Sequence, residues 1–134
     1  MNHTICYVSQ LSTGFTEEDI NAVFETTQLN NCRKGITGIL LYGFGNFFQV
    51  LEGDKKEINE LYNTIIEDRR HHNIETLINH DINFPIFAGY SSSFNVVKTK
   101  SDLTAIKKYL DFFNTKTPFS SKITRLINPF LYAP

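Results

Sequence analysis

Two short apolar runs flank a glycine-rich tetrapeptide near the middle of the chain. Ile36, Ile39, Leu40 and Leu41 form the first run, and Phe47, Phe48, Val50 and Leu51 form the second. Between them lies Gly43-Phe44-Gly45-Asn46, whose glycines reach positive φ without steric cost, so residues 36–54 predict a β-hairpin. Apolar side chains fall on both faces of both strands, which places the hairpin inside a sheet covered above and below. Gln49 breaks the pattern. It shares a face with Phe47 and Leu51, so its amide points inward and needs partners for its donors and its acceptor. Something polar therefore sits over the centre of this sheet.

Upstream, residues 4–9 alternate as a strand, with Ile5, Tyr7 and Ser9 on one face and Cys6 and Val8 on the other. Thr16 and Asp19 have the spacing of a helix N-cap. Ile20, Val23, Phe24 and Thr27 make the stripe of a helix running to about Gln28. Asn30-Asn31-Cys32-Arg33-Lys34-Gly35 is expected to stop it, because asparagine and glycine suit αL and turn geometry. Downstream, Asp54 and Glu57 have capping-box spacing ahead of a second helix. Its stripe is Ile58, Leu61, Tyr62, Ile65 and Ile66, and residues 67–72 end it in a charged turn. Residues 74–82 and 86–94 then read as strands on either side of Phe84-Pro85.

The order is β-α-β-β-α-β plus one further strand. This predicts an α+β, ferredoxin-like arrangement with both helices on one sheet face. The other face, bearing Phe48 and Val50, needs cover. The tail offers two helical stripes, Leu103, Ile106, Leu110 and Phe113, then Ile123, Leu126 and Ile127, with Pro118 and Pro129 as breaks. Residues 1–95 are therefore expected to form the core domain. Residues 96–134 form a helical extension packed on it or at an oligomer interface.

Composition narrows the function classes. At 134 residues the chain fits one domain, and 41% hydrophobic residues suffice for an ordinary core. A net charge of −1 without a basic cluster disfavours non-specific binding to nucleic acid or anionic membranes. Cys6 and Cys32 lack the spacing of a zinc site or a redox pair. The first residues lack the charged and apolar regions of a signal peptide, and no apolar run approaches the ~18 residues of a membrane span. A cytoplasmic protein with reduced thiols is expected.

In this topology Tyr7 and Gln49 lie on adjacent central strands and face the helices. On residue types alone they read as a core phenol bonded to a core amide. Asn30 and Asn31 read on their own as a helix end. Four polar side chains converging under two helices also suit a planar ligand with amide-like edges. His71-His72 reads as solvated surface histidine rather than a metal site, because neighbours on a regular element point apart and no third ligand has matching spacing. Glu52 and Asp54 are accounted for as a strand end and a cap. Gly43-x-Gly45 sits in a hairpin, so it is not a dinucleotide fingerprint.

Taken together, Tyr7-x-Ser9, Asn30-Asn31, Ile36-Thr37-Gly38, Phe47-Phe48-Gln49-x-Leu51-Glu52-Gly53 and Asp68-Arg69-Arg70-His71 resemble a BLUF domain, a blue-light sensor that uses a flavin. The resemblance covers about residues 3–94. It implies flavin adenine dinucleotide (FAD), or FMN or riboflavin, held non-covalently between the two helices. It implies Tyr7 as electron and proton donor to excited flavin, and Gln49 as the amide that rearranges between Tyr7 and the flavin edge. Asn31 would bond the flavin carbonyl edge with Asn30 beside it. Val23, Thr27, Leu40, Phe47 and Ile65 would line the ring, and Asp68, Arg70 and His71 would lie towards the ribityl and phosphate end. Family members often carry Trp and Met on the last strand, where this chain has Tyr90 and Ser92.

The resulting expectation is a short photoreceptor that is not an enzyme. It would form a reversible red-shifted state and signal through its last strand, its tail or an oligomer interface to a partner protein. Two rivals are a flavin-dependent oxidoreductase and a flavin-free ferredoxin-like binding or assembly module. The oxidoreductase needs a substrate cleft and a nicotinamide anchor, and no residues suggest either.

Overall fold

A computed structural model describes residues 1–91, 94–113 and 118–132. Five strands and four helices follow in the order β1 (Asn2–Leu11), α1 (Glu17–Arg33), β2 (Thr37–Gly43), β3 (Asn46–Asp54), α2 (Lys55–Glu67), β4 (His71–Ile82), β5 (Asn95–Val96), α3 (Lys100–Phe113) and α4 (Pro118–Ile127). The sheet order is β4-β1-β3-β2-β5, antiparallel throughout except for the parallel β2–β5 pair. This is the expected ferredoxin-like order with a fifth strand at the edge. α1 and α2 pack on one face over Ile5, Leu40, Phe47 and Leu51. α3 and α4 bring Leu103, Ile106, Leu110, Ile123 and Ile127 onto Phe48 and Val50 on the other. The side chain of Phe113, the last residue of the expected α3 stripe, lies outside the described residues.

The hairpin forms as the apolar runs require, with β3 between β1 and β2. Its two-residue turn has Phe44 at φ 54° and Gly45 at φ 78°, the paired positive angles that match the twist of the flanking strands. Gly38, the second residue of β2, has φ +138°, and a Cβ there would lie 1.9 Å from the Val50 carbonyl oxygen. Glycine is thus required by both the backbone angle and the approach of β3.

Several boundaries differ from expectation, among them the start of β4, which opens at His71 inside the expected charged turn rather than at residue 74. α1 runs past Gln28 to Arg33, because its stop is set by Gly35 (φ +69°) rather than by the asparagines. Gly35 N–H donates to the Cys32 carbonyl (3.2 Å) and Ile36 N–H to the Asn31 carbonyl (2.9 Å), the paired bonds of a Schellman end. Asn30 and Asn31 are therefore helical. On α2, burial ends at Ile65, and Ile66 is exposed. Among the described residues of the expected last strand, 86–91 and 94, none is extended in the sheet: Phe87–Gly89 is a 3-10 turn, and the last described strand is the two residues of β5; residues 92 and 93 lie outside the described residues.

Glu52 explains that turn. Its carboxylate is fully buried and accepts from Ile86 N–H (2.6 Å), Phe87 N–H (2.9 Å) and the Thr37 hydroxyl (3.1 Å). Two successive N–H groups aimed at one carboxylate suit a helical start, not an extended strand. Ile86 and Phe87 are apolar because they plug the core beneath α3, where the Tyr109 hydroxyl donates to the Ile86 carbonyl (2.5 Å). Glu52 is thus an interior anchor rather than a strand-end residue.

Two predictions arise here. Gly38→Ala should lower unfolding stability by about 3 kcal/mol or more, since a strained angle and a backbone clash add. Gly53→Ala, whose new Cβ would meet only side-chain atoms at 3.6 Å or beyond, should cost under about 1 kcal/mol. Urea titration of both variants measures the difference. The second concerns Glu52, whose pKa burial pushes from 4.5 up to about 7 against its three hydrogen bonds. Between these values the folded chain holds a proton that the unfolded chain has released, so stability should fall as pH rises through this window, by on the order of 3 kcal/mol. Asp19, Asp68 and Asp81 are shifted downward, so they act with the opposite sign at lower pH. The wild-type slope from pH 5 to pH 7, minus that of Glu52→Gln, isolates the effect; equal slopes would contradict it.

Candidate functional site

Strand register brings the two polar core residues together. Tyr7 on β1 pairs with Gln49 on β3, and Leu40 on β2 pairs with Gln49 from the other side. Gln49 Nε2 donates to the Tyr7 hydroxyl at 2.6 Å, with both side chains about 3% exposed. The other end of the amide, Gln49 Oε1, is buried without a partner. From α1, the extension of the helix carries Asn31 onto the same face at 2% exposure, where its Nδ2 is likewise buried and unpartnered. An acceptor and a donor are thus both left unsatisfied in a single site.

These residues border a cavity of about 150 Å³ between β1, β2, β3 and the two helices. Val23, Leu40, Phe47 and Ile65 provide apolar walls, Tyr7, Asn31 and Gln49 a polar end, and Thr27, Asn30, Asp68, Arg70 and His71 complete the expected set. All twelve candidate residues therefore meet around one space. Thr26, Leu61 and Thr64 also line it and were not anticipated. Helical periodicity was the available signal: Thr26 follows Val23 by three, and Leu61 and Thr64 precede Ile65 and Asp68 by four.

Burial pushes the Tyr7 phenol well above its usual acidity constant, with the Gln49 bond opposing and the Tyr62, Asp68 and Cys6 charges adding to the rise. Tyr7 is accordingly a neutral hydroxyl. Tyr62 lies beside it, ring centroids 5.6 Å apart, but its own hydroxyl is bonded to Thr76 Oγ1 at 2.5 Å. Arg70 folds back on Asp68, with Nη2 at 2.6 Å and Nε at 3.0 and 3.1 Å from the carboxylate oxygens. That bonding holds the Asp68 carboxyl below its usual range and raises Arg70.

Two expected placements change. His71 is not a solvated surface histidine: it opens β4 pointing inward, 9% exposed, while His72 points out. Its Nδ1 lies 2.6 Å from Ser9 Oγ and its Nε2 2.7 Å from the Ile65 carbonyl oxygen. Tyr90 is not on a strand. It follows the 3-10 turn and packs on the opposite sheet face, 5.0 Å from the Tyr109 ring. Ser92 lies outside the described residues. Among the described residues no cluster of acidic, histidine or cysteine side chains is disposed to hold a metal, and no helix is long and apolar enough to cross a membrane.

The cavity fits a flat heteroaromatic group with a polar edge. Apolar side chains line it, and it also offers an unpaired amide N–H and an unpaired carbonyl, complementary to a ring edge that carries carbonyls and N–H. The comparisons with known proteins agree. The family model for BLUF, sensors of blue-light using FAD, matches residues 3–110. Photoactivated adenylate cyclase subunit beta of Euglena gracilis is 36% identical over 74 residues, which is 55% of this chain and 9% of that protein. The chain thus spans a small part of the curated relative it matches. The structure of Klebsiella pneumoniae BlrP1 with FMN and cyclic diGMP superposes with a TM-score of 0.73 at 28% identity, covering 98% of this chain and 34% of the other. The dark-state structure of BlrB, a BLUF protein, superposes with a TM-score of 0.69 at 27% identity over 97% of each chain. From β1 to α3, this chain belongs to the BLUF family of flavin-using blue-light sensors.

Proposed function

We propose that the chain is a light receptor in which Tyr7 and Gln49 form the photochemical switch and FAD is the flavin held non-covalently in the cavity. The observation that carries this reading is the half-satisfied Gln49 amide: one end bonded to Tyr7, the other facing the cavity that Asn31 also borders with an unpaired N–H. Bound flavin would supply the absorption of blue light and, once excited, take up an electron.

Tyr7 is the donor. A phenol that loses an electron becomes a strong acid; the Gln49 amide beside Tyr7 presents its NH₂ in the resting arrangement, so it would take the proton only as its carbonyl end turns to the phenol, and electron and proton would both return to Tyr7 to complete the change. The amide has a donor end and an acceptor end of nearly equal shape, so a half-turn reverses what it offers without repacking. With Nε2 towards Tyr7, the carbonyl faces the cavity. After the half-turn the Tyr7 hydroxyl donates to the carbonyl and the NH₂ faces the cavity. A donor newly offered to a chromophore's carbonyl edge stabilises its excited state and shifts absorption to the red. Because this scheme makes no covalent bond to the cofactor, the change reverses in the dark.

Asn31 anchors the carbonyl edge, and Val23, Thr27, Leu40, Phe47 and Ile65 enclose the ring. Asn30 lies beside Asn31, and Asp68, Arg70 and His71 lie towards the ribityl and phosphate end. The protein would act in the cytoplasm as a sensor rather than an enzyme, with residues 96–134 as the element read by a partner protein or a second copy. The route to that element is built into β3: Gln49 faces the cavity, and Glu52, three residues on, binds the turn that Tyr109 of α3 grips from the far side.

Gln49→Leu should keep flavin and lose the light-induced red shift; a normal shift in that variant would remove the amide from the mechanism. Tyr7→Phe should likewise lose the shift and Tyr90→Phe should keep it, because Tyr90 lies across the sheet from the amide. Light-minus-dark absorption spectra read all three, and the opposite pattern would make Tyr90 the donor. Asn31→Ala should weaken flavin binding by roughly 1–3 kcal/mol through loss of a buried hydrogen bond. Lys34→Ala, outside the cavity, should not; equal dissociation constants by flavin fluorescence would reduce Asn31 to a helix-end residue. Steady NAD(P)H consumption would favour an oxidoreductase, and a colourless protein that takes up no flavin would favour a binding module.

A further inference from the structure

His71 borders the flavin cavity, yet the protein itself occupies both of its ring nitrogens. The Ile65 carbonyl, in the last turn of α2, can only accept, so Nε2 carries the hydrogen. Nδ1 then either accepts from the Ser9 hydroxyl or, if protonated, donates to it. Ser9 is 1% exposed, and among the described residues its hydroxyl hydrogen has no acceptor but Nδ1. A doubly protonated ring would strand that hydrogen in a buried site; Tyr7 and Phe47 lie beside the imidazole in T-shaped contact, ring centroids 6.1 and 6.4 Å away. Asp68 interacts electrostatically with the His71 ring, but its carboxylate is already bonded to the Arg70 guanidinium. Only the neutral ring with hydrogen on Nε2 satisfies every group.

We infer that His71 is a positioning residue for Tyr7, held by Ser9 and the Ile65 carbonyl as the neutral Nε2–H imidazole, and that it makes no hydrogen bond to the cofactor. Ser9 stands two residues after Tyr7 on the same face of β1 and pairs with Phe47, as Tyr7 pairs with Gln49. The Ser9–His71 bond therefore ties the phenol-bearing strand to the end of α2. It sets an uncharged ring beside the phenol that must give up an electron. A cation in that place would oppose the positive charge that Tyr7 acquires. The inference rests on Tyr7 being the photochemical donor, but the state of the His71 ring can be read without light.

The test uses flavin-loaded protein with ¹⁵N in its histidine rings, the His71 signals being assigned by their loss in His71→Gln. In the dark, nitrogen NMR should show a protonated Nε2 and an unprotonated, hydrogen-bonded Nδ1. Ser9→Ala should lose that Nδ1 signature and lower the yield of the red-shifted state several-fold at unchanged flavin content, and Ser9→Thr, which keeps the hydroxyl, should restore both. Two protonated ring nitrogens in the wild type, or a wild-type yield in Ser9→Ala, would overturn the inference. If instead the wild type shows the expected ring signals but no light-induced shift, the photoreceptor reading fails and the ring assignment stands.

Discussion

A primary amide sealed inside an apolar sheet governs this structure. Gln49 lies at the crossing of β1, β3 and β2, opposite Tyr7 on one side and Leu40 on the other. Burial obliges its groups to find partners, and the protein supplies a partner for one end only. The missing partner for Oε1, together with the missing partner for Asn31 Nδ2, leaves an energetic debt of about 1–3 kcal/mol per group. A ligand that satisfies both recovers that energy on binding, so cofactor affinity and stability of the folded chain are linked. The same incomplete bonding leaves the outward end of the amide without a protein partner to fix it.

The two faces of the sheet divide the work. Odd-numbered residues of β3, Phe47, Gln49 and Leu51, serve the cavity side under α1 and α2. Even-numbered Phe48, Val50 and Glu52 serve the side covered by α3 and α4. Period-two alternation thus places an amide and a carboxylate three residues apart on opposite faces of one strand. Glu52 takes two backbone N–H groups from the turn before β5, and Tyr109 takes a carbonyl from the same turn. Under the proposed mechanism, a change in the pull on β3 at Gln49 would pass along the strand to Glu52 and through its hydrogen bonds to the turn that Tyr109 holds.

Much of this was legible in the sequence because it rests on local rules. The hairpin followed from two apolar runs around a glycine pair, and the inward amide followed from the alternation of residues 47–51. The helix caps at Thr16 and Asp54 followed from side chains that accept from Asp19 N–H and Glu57 N–H. What failed depended on groups that leave no mark on a sequence. Ile86 and Phe87 are as apolar as strand residues, and only the partner of their N–H groups, a carboxylate 34 and 35 positions away, curls them into a turn. Asn31 reads as a helix stop until Gly35 takes that role, and only the longer helix turns its side chain into the cavity. His71 and His72 are chemically the same; which one is buried depends on where β4 begins.

The most direct test of the amide switch is an infrared light-minus-dark difference spectrum of the flavin-loaded protein, with and without isotope labels in the glutamine side chains. The chain has three glutamines, and Gln10 and Gln28 are exposed, which leaves Gln49 as the buried reporter. If its amide changes partners, label-sensitive bands should appear in the side-chain carbonyl region on illumination and decay together with the red-shifted absorption. A red-shifted state whose difference spectrum carries no glutamine-sensitive band would contradict the account.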